Sequence, residues 1–220
     1  MKTIAKGVIA MEKKTHWETI HRTKAPAQVS WYQNHPVLSL DFIQRTGVDK
    51  SCHIIDIGGG ISTLADDLLR EGFTQITVLD ISGAALGIAQ QRLGGLASQV
   101  AWLEADITQA HLPYQAYDVW HDRAVFHFLT QPQDRQRYVQ AVYHALKKGG
   151  HVIVATFAPD GPSRCSGLEV MHYDPDCLHD EFGDEFRLID SAREAHVTPF
   201  GTEQKFIYCY CRKERSAPHC

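Results

Sequence analysis

The chain has 220 residues, enough for one domain with a buried core and too few to make a second one comfortable. Its net charge of −4 provides no excess positive field to hold a nucleic acid. A hydrophobic fraction of 44%, with no apolar run of membrane-spanning length, excludes disordered and membrane-spanning classes.

Six scattered cysteines lack the spacing of a disulfide framework, which favours a reducing compartment. The N-terminal stretch lacks the long apolar region of a signal peptide, so we expect a cytoplasmic protein. Thirteen histidines are unusual, and protonating all of them would change the net charge from −4 to +9. We therefore expect the surface charge to change sharply near pH 6.

The N-terminal part of the chain is predicted to form two helices before the first strand. Amphipathic patterns over 11–22 and 36–46 flank the polar and aromatic segment 30–34.

From Cys52 onward the pattern alternates strands and helices, as in βαβ units. Strands are predicted over 53–57, 75–79, 100–103, 117–120 and 151–157, and helices over 62–70, 83–93 and 134–148. A long loop is predicted over 158–179. Two further strand-like runs, 186–195 and 205–211, have no crossover helix between them and must pair antiparallel. The charged tail 212–220 is expected to fray.

A glycine-rich turn, Gly58, Gly59 and Gly60, follows Asp56 at the end of the first of these strands. Glycines let a backbone approach a ligand closely, and the next helix offers free N–H groups. The alternative is a tight turn that binds nothing. A dinucleotide-dependent oxidoreductase would need a further glycine at the position of Thr63, so that fingerprint is incomplete.

Two more carboxylates end the following strands. Asp80 is placed to accept the hydroxyls of a ribose, and Asp106 to accept from an exocyclic adenine amine. Each alone also suits a helix cap or a solvated loop. Together with Asp56 they would project from one carboxyl edge of a parallel sheet, where open α/β folds bind ligands.

These features resemble the class I, Rossmann-like S-adenosylmethionine-dependent methyltransferases over residues 40–211. The stretches that carry the resemblance are 56–62, 77–82, 104–108, 117–129 and 145–157. It implies an α/β fold: a three-layer, Rossmann-like, doubly wound sheet, mostly parallel with a C-terminal antiparallel strand. One departure is Ser62, where many members have a third spaced glycine.

The resemblance also implies how S-adenosylmethionine would be held. Asp56 with Gly58, Gly59 and Gly60 would bind its amino acid part, and Asp80 its ribose. Asp106 and Ile107 would meet the adenine edge, and Ile81 its face. Tyr32, with Gln33, would close over the methionine end. Residues 1–50 then form a helical lid segment, 51–211 the cofactor-binding methyltransferase domain, and 212–220 a tail.

Candidates for catalysis cluster after the fourth strand. His121 or Asp122 would act as a base or orient the acceptor, with His127 as a third candidate. Arg123 would anchor a substrate carboxylate. The alternative is that Asp122 and Arg123 form a structural pair.

Aromatic residues offer two interpretations. Phe126 and Trp31 would turn a ring face toward the sulfonium. Alternatively, Phe126 and Phe128 belong to the core.

The acceptor is less well defined. The sequence has no Asn-Pro-Pro-Tyr-like stretch of the kind found in DNA base methyltransferases. Its run Asp122 to Ala124 is similar to small-molecule methyltransferases of the thiopurine or tellurite type. The same run is also similar to some seven-strand protein lysine methyltransferases. A compact chain of low charge favours a small-molecule acceptor, with neither nucleic acid nor membrane as partner. A protein lysine acceptor and a non-catalytic cofactor-binding protein stay as alternatives, and the oligomeric state is open.

Scattered cysteines and histidines could also suggest a metal. Cys165, His172, Cys177 and His179 lack the paired C-x-x-C spacing of a zinc site, so no metal is expected. Cys209 and Cys211 are predicted to be small core residues of the last strand.

Overall fold

The computed structural model describes residues 2–214. Its helices are α1 (Lys2–Thr23), α2 (Val37–Arg45), α3 (Leu64–Arg70), α4 (Gly83–Leu93), α5 (Pro132–Ala145) and α6 (Pro175–Phe182). Its strands are β1 (His53–Ile57), β2 (Gln75–Asp80), β3 (Val100–Glu104), β4 (Tyr117–Arg123), β5 (Leu146–Phe157), β6 (Arg164–Cys165), β7 (Leu168–Glu169), β8 (Phe186–Val197) and β9 (Glu203–Lys213).

Seven of the strands form one sheet in the order β3-β2-β1-β4-β5-β9-β8. Neighbours from β3 to β5 pair in parallel, whereas β9 pairs antiparallel with both β5 and β8. The mostly parallel, doubly wound fold with a reversed C-terminal strand is therefore confirmed. The chain leaves β1 toward β2 on one side and returns to β4 on the other, so the carboxyl ends of β1 and β4 flank the crevice where such sheets bind ligands.

Helices cover both faces of the sheet. On one face α5 and α6 bury Tyr138, Val142 and Leu178. On the other face α2, α3 and α4 bury residues that include Phe42 and Leu64. Because β1 and the strands beside it lie between these two layers, they are buried at nearly every position instead of alternating. Among the described residues, no helix has the length and hydropathy needed to cross a membrane.

Three predicted boundaries in the middle of the chain are wrong. β5 begins at Leu146, so the last residues of the predicted helix 134–148 belong to a strand. β4 continues to Arg123 rather than ending at residue 120. The predicted loop 158–179 contains most of α6, which begins with Asp174 accepting a hydrogen bond from Cys177 N and with proline in its first turn.

The start of the tail is also ordered. Arg212 and Lys213 belong to β9, and the Lys213 ammonium donates to Leu146 O at 2.9 Å, so the predicted boundary at residue 211 falls inside a strand. Residues 215–220 of the predicted tail lie outside the described part of the chain.

Candidate functional site

A cavity of about 480 Å³ lies at the carboxyl ends of β1, β2 and β4. This volume is in the range of sites for small ligands. The glycine turn and the strand ends form part of its wall, and α1, the segment 31–33 and the β6–β7 hairpin supply further parts. The cavity therefore coincides with the crevice at which the strand order reverses.

Asp56 and His121 lie opposite each other in the register of β1 and β4. Asp56 Oδ1 and His121 Nδ1 are 2.7 Å apart, and each side chain is 3% exposed. Both residues line the cavity, and Asp56 Oδ2 and His121 Nε2 are buried with no partner among the described residues. Buried polar atoms are normally hydrogen-bonded, so this pair fits a ligand that carries donors such as an ammonium group.

The glycine turn cannot accept side chains. Gly58 has a φ of +68°, and a Cβ there would collide with Val125, while a Cβ at Gly59 would collide with the Asp56 carboxylate. Gly58 and Gly59 line the cavity, so their backbone is accessible to a ligand. Gly60 is not a lining residue; its N–H donates to Asp80 Oδ2 at 3.0 Å and fixes that carboxylate.

The other predicted cofactor residues also line the cavity. Asp80 accepts from Ser82 N at 2.8 Å through Oδ1, and burial raises the pKa of Asp80 to about 6. Asp106 Oδ1 accepts from Thr108 N at 2.9 Å. The lining residues Ile81, Ile107 and Tyr32 add apolar and aromatic surface.

Asp122 does not belong to the cavity wall. It is fully buried, and its carboxylate accepts from Val125 N at 2.8 Å, Phe126 N at 3.1 Å and the Tyr138 hydroxyl at 2.7 Å. Burial raises the pKa of Asp122 to about 7. The placement of Asp122 beside the acceptor is therefore wrong: its carboxylate holds the turn that carries Val125 against Gly58.

His127 is likewise a core residue. It is fully buried against Phe128 and Phe157, and its Nδ1 accepts from Phe157 N at 3.3 Å. Burial lowers the pKa of His127 to about 3. Its expected position at the reacting end is wrong, and so is that of Phe126, which packs on Tyr138 in the core. Phe128 lines the cavity instead.

Arg123 lines the cavity but is already paired. Its guanidinium contacts Glu194 at 3.1 Å, donates to Trp31 O at 3.0 Å and lies 4.3 Å from the centre of the Phe206 ring. Gln33 donates to the same glutamate at 2.8 Å. Arg123 and Glu194 therefore tie the segment 31–33 to the sheet, and the charge of the guanidinium is already balanced by a carboxylate of the protein.

The predicted lid segment 1–50 contributes wall residues that the sequence analysis did not name individually. Lys13, Trp17 and His21 line the cavity from α1. They are spaced four residues apart, and this spacing places side chains on one helix face. Burial lowers the pKa of His21 to about 4. The signal was present in the sequence, inside the helix predicted over 11–22.

Part of the predicted loop 158–179 is a hairpin that lines the cavity. Ser166 and Gly167, with φ of +50° and +79°, form its two-residue turn between β6 and β7. Cys165 lines the cavity, and burial raises the pKa of its thiol to about 12. Across the described residues, no group of three or more His, Cys, Asp or Glu is placed to hold a metal ion.

Comparisons with known proteins agree on one family. Residues 55–152 match the protein-family model described as a methyltransferase domain. The chain is similar to a ubiquinone biosynthesis O-methyltransferase of Serratia proteamaculans, with 34% identity over 123 residues that cover 54% of this chain and 48% of that protein. It is also similar to an eEF1A lysine and N-terminal methyltransferase of Danio rerio, with 22% identity covering 66% of this chain and 21% of that protein.

A solved structure of an S-adenosylmethionine-dependent methyltransferase from Anabaena variabilis has the same fold, with a TM-score of 0.72, 16% identity and coverage of 94% of this chain and 95% of that one. The chain spans about half the length, 48%, of the curated O-methyltransferase that it matches.

Proposed function

We propose that this chain, a member of the class I, Rossmann-like S-adenosylmethionine-dependent methyltransferases, transfers the methyl group to a small-molecule acceptor. The observation that carries the proposal is the buried, unpartnered Asp56 Oδ2 beside Gly58 and Gly59, which line the cavity. A carboxylate oxygen in that position needs a donor, and the ammonium group of the cofactor supplies one.

The residues around Asp56 suit the rest of the cofactor. The backbone of Gly58 and Gly59 would hold its amino acid part. Each Asp80 oxygen accepts one backbone N–H and keeps a further lone pair, so both oxygens can still accept a ribose hydroxyl.

The adenine end would be held by residues beyond the ribose site. Asp106 and Ile107 would border the adenine edge, Ile81 would pack on its face, and Tyr32 would cover the methionine end. All four residues line the cavity.

His121 is the residue best placed to receive a proton. The cofactor, when bound, supplies a methyl group already activated by a positive sulfonium, so the protein has mainly to align and deprotonate the acceptor. With Nδ1 facing the Asp56 carboxylate, the neutral ring carries its proton on Nδ1 and keeps the lone pair on Nε2. We assign His121 as the base, and Asp122 as a positioning residue that acts through Val125.

A small molecule is the preferred acceptor because the cavity is compact and is bordered by α1 and the β6–β7 hairpin. The O-methyltransferase to which the chain is 34% identical supports this choice. A protein lysine is the second candidate, supported by the similarity to the eEF1A methyltransferase. The two are distinguished by whether S-adenosylhomocysteine forms with the small-molecule or the protein fraction of a cell extract.

Calorimetric titration with S-adenosylmethionine and S-adenosylhomocysteine tests the cofactor site. We expect both to bind, and Asp80→Asn to weaken binding at least about tenfold, since a hydrogen bond to a charged group contributes about 1.5–3 kcal/mol. Asp176→Asn, an exposed carboxylate on α6, is the matched control and should bind as the unmodified protein does. No heat with either compound would refute the proposal.

A further inference from the structure

One wall of the cavity is aromatic. The rings of Trp17 and Trp31 are 5.8 Å apart and nearly perpendicular, and Phe128 meets Trp17 at 5.1 Å. All three line the cavity and none is fully buried, so each leaves ring surface at its border. Such surface packs favourably against another flat ring.

Every cationic side chain that lines the cavity already has a carboxylate partner. Lys13 lies 2.9 Å from Asp134, Arg123 lies 3.1 Å from Glu194, and Arg164 lies 3.8 Å from Glu169. An anionic acceptor that recruited Arg123 would leave the buried Glu194 carboxylate without its partner. Lys13 and Arg164 are 35% and 63% exposed, so water screens their charges and each would attract an anion only weakly.

His21, whose ring stacks on Trp17 beside this aromatic wall, adds no positive charge. Because burial lowers the pKa of His21 to about 4, this ring is neutral at pH 7. The aromatic wall therefore presents no group that would attract an anion.

The lining carboxylates are also committed. The proposed function assigns Asp80 to the ribose and Asp106 to the adenine of the cofactor, and Glu169 is paired with Arg164. Asp56 keeps one buried oxygen without a partner among the described residues, and the proposed function assigns that oxygen to the cofactor. A cationic acceptor would therefore find no free counter-charge.

We infer that the acceptor is an uncharged molecule with a flat, apolar ring system that packs against Trp17, Trp31 and Phe128 and is methylated on a hydroxyl or thiol. This inference rests on the proposed function. In the reaction, the acceptor O–H or S–H bond gives its proton to His121 Nε2 while the oxygen or sulfur bonds to the methyl carbon. The bond from that carbon to the cofactor sulfur breaks, and its electron pair stays on the sulfur of S-adenosylhomocysteine.

Binding of three probes that share one ring system tests the charge requirement. Protein saturated with S-adenosylhomocysteine is titrated at pH 7.5 with 2-naphthol, 2-naphthoate and 2-naphthylmethylammonium. We expect the neutral naphthol to bind at least about tenfold more tightly than either charged probe, because each charged probe loses more hydration than it regains in contacts. The anion meets no free buried cation, and the aromatic wall offers the ammonium only a cation–π contact of about 0.5–2 kcal/mol.

Variants test the aromatic wall by the same measurement. Trp31→Leu and Phe128→Leu should each weaken naphthol binding about tenfold, as expected for the loss of an aromatic contact and its buried area. Trp102→Leu is the matched control, since Trp102 lies on β3 and does not line the cavity. Its ring N–H donates a hydrogen bond to Ala97 O. If Trp31→Leu fails to fold, judged by circular dichroism, Phe128→Leu carries the test.

The outcomes distinguish the inference about the acceptor from the proposed function. Equal or tighter binding of a charged probe, or no binding of any probe to the saturated protein, overturns the inference and leaves the cofactor assignment intact. Failure of S-adenosylhomocysteine itself to bind overturns the proposed function.

Discussion

The buried histidines differ in whether a carboxylate faces them. His121 has Asp56 at 2.7 Å, whereas His127 has only a long hydrogen bond from Phe157 N at 3.3 Å. Burial lowers the pKa of His127 to about 3 and those of His21 and His151 to about 4. These three rings stay neutral at pH 6, so the change in surface charge expected from thirteen histidines is smaller than composition alone implies.

His127 should make the fold sensitive to acid. Its pKa is about 3 when folded and about 6.5 when unfolded, so the unfolded chain takes up the proton first as the pH falls. Its contribution to stability is complete above pH 6.5 and decreases by about 1.4 kcal/mol for each pH unit below that, down to the folded pKa. We expect His127→Gln to lose less stability than the unmodified protein between pH 7.5 and 5.5, measured by urea unfolding.

The matched control is His111→Gln, because His111 is exposed. Its stability should change with pH as that of the unmodified protein does. An identical pH response in the His127 variant would mean that His127 is solvated in the folded state.

The alternation of side chains along β4 decided which catalytic candidates reach the cavity. This strand was predicted to end at residue 120, with His121 and Asp122 following it. Because β4 continues to Arg123, His121 and Arg123 point to one side and line the cavity, while Asp122 points to the other, toward Tyr138 on α5. Asp56, Asp80 and Asp106 lie at or just beyond the ends of apolar runs, so their place in the cavity wall could be predicted from the sequence.

At the level of elements, the turn between β1 and α3 depends on two properties of Gly58: its left-handed backbone and its lack of a Cβ. Gly72, which follows α3, shares only the first. Gly58 has a φ of +68° and leaves no room for a Cβ beside Val125, whereas Gly72 has a φ of +88° with open space around it. The two positions therefore separate backbone strain from steric collision.

Alanine at each position measures the difference. Gly72→Ala should cost about 1–2 kcal/mol of unfolding free energy, from the left-handed backbone alone, and leave S-adenosylhomocysteine affinity unchanged. Gly58→Ala should cost about 1–3 kcal/mol more and weaken that affinity, because its methyl group displaces Val125 from the cavity wall. Urea unfolding and calorimetry check both values, and equal effects of the two variants would contradict the proposed tight packing.

Helices and strands were predicted well where the hydrophobic periodicity was strong. They were predicted poorly where tertiary contacts determine the type or the boundary of an element. The helix predicted over 134–148 ends three residues early, because β5 begins at Leu146 and pairs with β4 and β9. α6 was missed because it has only eight residues and begins and ends inside a polar stretch. Short helices depend on packing more than on sequence pattern.

At the scale of the whole molecule, the predicted lid segment 1–50 divides into two parts. Phe42 and Ile43 of α2 are fully buried in the cluster on one sheet face, so α2 packs as part of the sheet layers. The cluster of α1, with Trp17 and Ile20, is separate and small. The core of the sheet is thus buried without α1.

The described side chains of α1 contact several different elements around the cavity. Lys13 pairs with Asp134 near the start of α5 at 2.9 Å, and Glu18 accepts from Ala84 N at the start of α4 at 3.3 Å. Trp17 packs edge-on against Phe128. Because no described residue of α1 belongs to the two sheet-face clusters, we expect α1 to open more readily than the layers of the sheet.

A variant that begins at Lys24 tests this division. Because the two sheet-face clusters do not include α1, we expect cooperative unfolding to be retained, and because α1 lines the cavity, we expect S-adenosylhomocysteine to dissociate about tenfold faster. Stopped-flow displacement measures the dissociation rate, and circular dichroism during thermal unfolding measures cooperativity. The full-length Lys13→Met variant, which lacks only one tether, should show a smaller increase in rate. Loss of cooperative unfolding in the shortened chain would show instead that α1 is part of the core, and an unchanged dissociation rate would show that it does not retain the ligand.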